Sequence, residues 1–197
     1  MTGLFPGYNY VVYLIVKKIR RDTGFCCMNI LPASPLRVGV LSDTHLTDSA
    51  DARIFLLDLI DTALAPVDMI LHAGDLVAPE LLNVFDGYPF HAVRGNMDPA
   101  TPGVPLKKVI EVGGFTIGMI HGWGPPDRIE ERIYAEFASI PIDCLVYGHS
   151  HRPACHRRDG VLFFNPGSAT DRRRMAYHSV GLLEIGNDIR GTIIRID

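Results

Sequence analysis

From Arg37 onward, apolar and polar positions alternate in a way that predicts strand–helix–strand units first and hairpins afterwards. Val38 to Leu41 is a continuous apolar run, as expected for a strand covered on both faces. A helix follows, opened by Asp48 or Ser49 as N-cap. Ile54, Leu57, Ile60 and Leu64 recur at spacings of three and four, which predicts a buried stripe, while Asp51, Asp58 and Asp61 are its polar positions. Met69–Leu71 reads as the next strand, Pro79–Phe85 as a short helix and Phe90–Val93 as a third strand. Lys108–Val112 and Phe115–Ile120 then form a hairpin around Gly113-Gly114. A helix is expected over Asp127–Ser139, with Ile129, Ile133 and Phe137 on one stripe, followed by a strand at Cys144–Tyr147. The turn Asp159-Gly160 starts another hairpin ending at Phe163-Phe164, and strands near Ser179–Ile185 and Thr192–Ile196 close the chain around Gly186-Asn187-Asp188. Alternating units followed by antiparallel pairs predict a mixed α/β sandwich.

The chain has 197 residues, enough for one domain with a substantial core, and its 47% hydrophobic and 21% charged residues are ordinary for a globular protein. Residues 1–35 stand apart. Tyr8–Val16 is apolar and Lys17–Arg21 basic, the reverse of a secretory signal's order and too short to span a bilayer, which takes about 20 residues. This stretch is read as an extension without catalytic role: an extra strand with a basic linker, or sequence upstream of a start at Met28. Residues 36–197 form the expected domain. They carry 15 basic and 21 acidic residues, which argues against gripping nucleic acid by bulk charge. Arg172, Arg173 and Arg174 are a local exception, read as a solvated loop rather than a phosphate clamp. Cys26, Cys27, Cys144 and Cys155 make no paired CxxC spacing. A thiolate zinc site is therefore not expected, and a reducing, cytoplasmic setting is.

Five short motifs each stand just beyond an expected strand: Asp43-Thr44-His45, Gly74-Asp75, Gly95-Asn96-Met97-Asp98, His121-Gly122 and Gly148-His149-Ser150-His151. Strand ends form the binding crevice of open α/β sheets, so two Asp, one Asn and four His are delivered to one rim. Imidazole and carboxylate suit borderline divalent metals such as Mn, Fe, Zn, Ni or Co. Asp43, His45, Asp75, Asn96, His121, His149 and His151 are too many ligands for one tetrahedral ion but suit a pair, with a carboxylate bridging through its two oxygens. Two such ions about 3.5–4 Å apart can hold a hydroxide and clamp a phosphoryl group. His91, His156 and His178 are read as surface or packing residues; His72, inside a strand near Asp75, either orients a ligand or is a satisfied core histidine.

With these motifs the chain resembles the calcineurin-like metallophosphoesterases, in particular the small bacterial and archaeal phosphodiesterases that are also similar to a vacuolar sorting subunit. The resemblance runs from about Arg37 to the C-terminus and includes Asn165-Pro166-Gly167-Ser168. It implies two mixed β-sheets packed as a sandwich flanked by helices. It implies a first metal on Asp43, His45, Asp75 and His151, and a second on Asp75, Asn96, His121 and His149, with Asp75 bridging. Asn96 would also touch the substrate phosphate, and Asp98 would join it in the catalytic group. Manganese is the leading expectation, with Fe, Zn, Ni or Co as alternatives. The chain departs from the pattern at Met97 and Trp123, where relatives often have histidines. A leaving-group proton would then come from water or substrate, which favours diesters or esters with good leaving groups. The expected function is a phosphodiesterase in which a hydroxide bridging two metals attacks a small phosphate ester. The rival is a scaffold of the same fold that binds a protein partner. No membrane association is expected, and a homo-oligomer is compatible with the sequence.

Overall fold

The computed structural model describes residues 34–197, so the expected extension lies outside the described residues except for Ser34 and Pro35. Ten strands follow in chain order: β1 (Leu36–Leu41), β2 (Met69–His72), β3 (Phe90–Ala92), β4 (Lys107–Val112), β5 (Phe115–Ile120), β6 (Cys144–Val146), β7 (Ala154–Arg158), β8 (Val161–Asn165), β9 (Ser179–Ile185) and β10 (Ile189–Arg195). They form two five-stranded mixed sheets, ordered β10-β9-β1-β2-β3 and β4-β5-β6-β8-β7. Each sheet contains three mutually parallel strands, β1–β2–β3 in one and β5–β6–β8 in the other. Among the described residues no helix is long and apolar enough to cross a membrane.

Both faces of the central strands are covered, which explains their unbroken apolar runs. Val38, Val40 and Leu71 of one sheet share the inter-sheet core with Cys144, Val146, Leu162 and Phe164 of the other. Leu41 and Ile70 point the opposite way, toward helix α1 (Ala50–Asp61) and the 3₁₀ helix Pro79–Phe85. Leu145 and Phe163 pack outward with Ile129 and Ile133 of α2 (Ile129–Ala135) and with Phe137 beyond it. The order of layers is helix, sheet, sheet, helix.

Ser49 caps α1, its hydroxyl accepting from Ala52 N at 3.1 Å. The expected stripe is met at Ile60 and Leu64, which are buried, but not at its other two positions. Ala52, Leu56, Leu59 and Ile60 are buried, whereas Ile54 is 64% and Leu57 46% exposed. Two registers of three-and-four spacing coexist in this segment. The one containing the small Ala52 lets the helix approach the sheet, which leaves Ile54 on the far side. Helix α2 is also shorter than expected, ending at Ala135.

Phe164 joins the two sheets. It is fully buried in β8, and its ring lies where a Cβ on Gly181 or Gly191 of the opposite sheet would approach it to 2.5 or 2.6 Å. Phe164→Ala should cost about 3–5 kcal/mol, because a cavity would open where both sheets converge. Equilibrium denaturant unfolding measures this; a loss below about 1 kcal/mol would show that the sheets do not depend on this ring.

Candidate metal centre

The three parallel strands of each sheet end on one rim. Asp43 follows β1, Asp75 follows β2 and Asn96 follows β3, while His121 follows β5 and His149 and His151 follow β6. Pairing continues past the strand ends: Asp43 N donates to Gly74 O and His45 N to Asp75 O, both at 2.9 Å, and Gly148 N donates to His121 O at 3.1 Å. Asp43, His45, Asp75, His149 and His151 all take left-handed φ, between 45° and 67°. The loops close tightly around the carboxylates. A Cβ on Gly95 would lie 2.0 Å from Asp75 Oδ1, and one on Gly148 would lie 1.9 Å from Ser42 Oγ and 2.7 Å from Asp43 Oδ2. Only glycine permits these approaches.

Each carboxylate is divided between the backbone and the site. Asp43 Oδ2 accepts from Ser42 Oγ (2.7 Å) and His149 N (2.9 Å). Its Oδ1 accepts from His149 N at the longer distance of 3.2 Å and faces the Nε2 atoms of His151, His121 and His45 at 3.3, 3.8 and 4.0 Å. Asp75 Oδ1 accepts from Met97 N at 2.7 Å, and its Oδ2 lies 3.3 Å from His121 Nε2 and 3.8 Å from His45 Nε2. A carboxylate bridging through both oxygens is therefore not what this loop offers. One oxygen, Oδ2, faces histidines of both expected metal sets. His45 and His151 bring their Nε2 atoms to 3.1 Å. Ligands cis to one another on an ion at about 2.1 Å lie about 3.0 Å apart, and trans ligands about 4.2 Å. The observed separations fall in that range.

Hydrogen bonds fix which histidine atoms carry lone pairs. His121 Nδ1 donates to Ala73 O at 2.7 Å, so in the neutral ring Nε2 is an acceptor; it is buried without a hydrogen-bond partner. His151 Nδ1 donates to Asp171 O, leaving its Nε2 free toward His45. His149 Nε2 donates to Gly124 O at 2.8 Å, which leaves the Nδ1 lone pair 2.9 Å from Asn96 Oδ1. Lone pairs facing one another at such distances repel unless a cation joins them, the Asn96 amide is turned, or Nδ1 also carries a proton that it donates to Oδ1. Charge leans the same way. Burial pushes the Asp43 carboxyl up. Burial would also raise Asp75, but His121 and the Met97 amide hold it low. The His121 ring is disfavoured as a cation by burial, yet the Asp75 and Asp43 carboxylates raise it overall. The donor set and its orphaned nitrogen fit divalent metal.

The expected ligands are not gathered equally. Asp43, His45 and His151 form one group and Asp43, Asp75 and His121 another, the ligand atoms in each within 4.8 Å of one another. Asn96 and His149 form a pair on the solvent side. His149 N is tied to Asp43, and its ring packs edge-on against His121 at 5.3 Å. His45 and His149 are half-buried and Asn96 exposed, so the site opens on this side.

A supporting layer was only partly visible beforehand. Asp98 accepts from Asp75 N (2.8 Å), Gly95 N (2.7 Å) and Val77 N (2.7 Å), clamping the β2 and β3 loops together. His72 accepts from Gly74 N through Nδ1 (3.2 Å) and bonds Thr44 Oγ1 through Nε2 (3.1 Å). Burial lowers its pKa to about 4, so it is a neutral tie between ligand loops. The Asn165–Ser168 turn does the same between sheets. Asn165 Nδ2 donates to Gly148 O (3.1 Å), Ser168 Oγ to Asp43 O (2.7 Å) and Thr170 Oγ1 to Thr44 O (2.6 Å). Ser42, Thr44 and Thr170 carried no motif signal. His91 is half-buried, His156 stacks on Phe163, and His178 pairs with Asp197. Arg172–Arg174 are exposed, with Arg172 bonded to Ala176 O and Arg173 paired with Asp171.

Residues 36–188 match the calcineurin-like phosphoesterase superfamily domain. The chain is 33% identical over 162 residues to a protein of Methanothermobacter thermautotrophicus named "Probable metallophosphoesterase", covering 80% of this chain and 91% of that protein. Among solved structures it is similar to Vacuolar Protein Sorting 29 from Cryptosporidium parvum, at TM-score 0.65 and 22% identity over 83% of this chain and 93% of that one. It is also similar to an archaeal phosphodiesterase, at TM-score 0.62 and 19% identity over 80% and 99%. Both likenesses are of fold.

Asp98→Asn keeps the shape but replaces one accepting oxygen with a donor facing backbone N–H groups. It should weaken divalent metal binding about 10–100-fold, as loss of partners behind metal ligands does. Calorimetric titration of the metal-free protein with Mn²⁺ measures this; an unchanged Kd would show that the clamp does not position Asp75.

Proposed function

The chain belongs to the calcineurin-like phosphoesterase superfamily, its relatives mark it as a phosphoester hydrolase, and we propose that it is a two-metal phosphodiesterase of the cytoplasm. The observation that carries this reading is the buried Nε2 of His121, without a hydrogen-bond partner, beside Asp43 Oδ1 and Asp75 Oδ2, which both face histidine nitrogens. In this proposal Asp43, His45, Asp75 and His151 hold one ion, and Asp75, Asn96, His121 and His149 the other, with Mn the leading candidate. When bound, the ions neutralise charge on the phosphoryl oxygens and lower the pKa of water toward a hydroxide nucleophile.

The chain's own groups do the rest. The exposed Asn96 amide has Nδ2 to donate to a phosphoryl oxygen while Oδ1 faces His149. Asp98 acts on the reaction through the Asp75 loop, since its oxygens are taken by backbone amides. Met97 and Trp123 flank Asn96 and the Gly124 carbonyl that receives His149, and neither is an acid near neutral pH. General-acid help is worth about 10²–10⁴-fold where it exists. Without it the favoured substrates are small diesters whose leaving alcohol is itself acidic. The scaffold reading is favoured by the fold shared with Vacuolar Protein Sorting 29. Against it stands the complete set of seven ligand side chains, which partner binding alone does not require.

Asp75→Asn should lower diester turnover by more than about 100-fold and deplete both ions, a larger loss than changes behind the ligands produce. His45→Ala should deplete mainly one. Metal content per chain and kcat/KM on an aryl diester after reconstitution with Mn²⁺ measure this. Two ions and near-normal turnover in Asp75→Asn would overturn the bridging role.

A further inference from the structure

Two large apolar side chains are exposed at the open side of the metal rim, Met97 at 57% and Trp123 at 44%. They stand at the ends of one connected path. Met97 is bonded to Asn96, Asn96 Oδ1 lies 2.9 Å from His149 Nδ1, and His149 Nε2 donates to the carbonyl of Gly124, next to Trp123. Both backbones are held in place. Met97 N donates to Asp75 Oδ1 at 2.7 Å. Arg132 of α2 donates to Trp123 O at 3.0 Å, to Pro125 O, and to Asp127 O at 2.8 Å. Trp123 and Met97 thus each stand one residue from a member of the Asn96–His149–Gly124 path, on backbones that are anchored. An exposed indole is a suitable platform for a planar aromatic ring. Aromatic faces stack on rings with little regard to their substituents, and methionine sulfur packs favourably against ring edges.

We infer that Trp123 and Met97 form a subsite for an aromatic ring on the leaving-group side of the substrate, so that the preferred diesters carry an aryl alcohol. This rests on the phosphoesterase reading and deepens it. It is also consistent with the missing proton donor, since an aryl alcohol departs as an anion more readily than an alkyl one. The subsite grips the ring beside the position where Asn96 would hold the phosphate. Trp123 and Met97 are positioning residues, acting on where the ester lies.

The test compares three diesters on Mn²⁺-loaded full-length protein: p-nitrophenyl methyl phosphate, a dinucleoside monophosphate, and trichloroethyl methyl phosphate, whose leaving alcohol is acidic but not aromatic. Trp123→Leu and Met97→Ala should each lower kcat/KM for ring-bearing esters, Trp123→Leu about tenfold or more relative to the trichloroethyl ester, as loss of one stacked ring does. Trp123→Phe should restore most of that loss. Ile54→Ala, an exposed apolar change on α1, serves as the reference. Loss for the p-nitrophenyl ester alone identifies the ring as that of an aryl alcohol, and loss for the dinucleoside extends it to bases. Trp123 is the only tryptophan in the chain, so its fluorescence reports the ring directly. Phenylphosphonate should quench it and propylphosphonate should not. Equal losses on all three esters, or no quenching by phenylphosphonate, overturn the subsite. If no ester is hydrolysed by the metal-loaded wild type, the phosphoesterase reading fails, and the fluorescence titration still decides whether a ring is bound.

Discussion

Everything at the rim depends on how two buried carboxylates are divided. Asp43 and Asp75 each have one oxygen held by donors of the protein and the other turned toward histidine nitrogens, Asp43 Oδ1 also accepting a longer bond from His149 N. An unpaired buried carboxylate is expensive, and protonation or a cation must offset it. Against the effect of burial, the Asp75 and Asp43 carboxylates raise the His121 pKa, a sign of how strongly this floor favours positive charge. A divalent ion answers more fully than a proton, because it accepts the lone pairs of His121 and His151 that hydrogen bonds have left facing inward.

The backbone carries the cost of this arrangement. Five ligand residues adopt left-handed φ, and so does Val77, a β-branched residue for which that region is a true outlier. Strain of about 1–3 kcal/mol per residue, taken over six positions, is comparable with the whole net stability of a domain, about 5–15 kcal/mol. Such loops persist only when their surroundings determine them. The Asp98 clamp, the neutral His72 tie and the Asn165–Ser168 turn do so, each joining loops from different strands. The sandwich core then fixes the strands themselves, with Phe164 reaching from one sheet to the other.

How much of this was legible follows from what each signal encodes. Apolar runs such as Val38–Leu41 and Ile117–Ile120 revealed strands because burial on both faces leaves no polar positions. The seven residues proposed as ligands stand out because Asp, Asn and His beside glycine at strand ends have few other uses. The face of α1 was partly misread, since Ile54 and Leu57 satisfy the same period as the true face built on Ala52, Leu56 and Leu59. Periodicity gives spacing but not which of two overlapping stripes meets the sheet. Ser42, Thr44 and Thr170 act through single hydrogen bonds whose partners are distant in sequence, and no local pattern announces them. The part of Asp98 was hidden for a related reason: its backbone partners have no identity that a sequence displays.

The rim is graded from a dry floor to a wet edge. Asp43, Asp75, His121 and His151 are buried, His45 and His149 are half-buried, and Asn96 is open, which places charge at depth and access at the surface. The central claim is that this floor holds two ions sharing Asp75. Anomalous diffraction from crystals soaked in Mn²⁺, collected on either side of the metal's absorption edge, tests it most directly. The account predicts two peaks about 3.5–4 Å apart, both in contact with Asp75 Oδ2, one among Asp43, His45 and His151 and the other among Asn96, His121 and His149. A single peak at full occupancy, or two peaks of which only one touches Asp75, would contradict it.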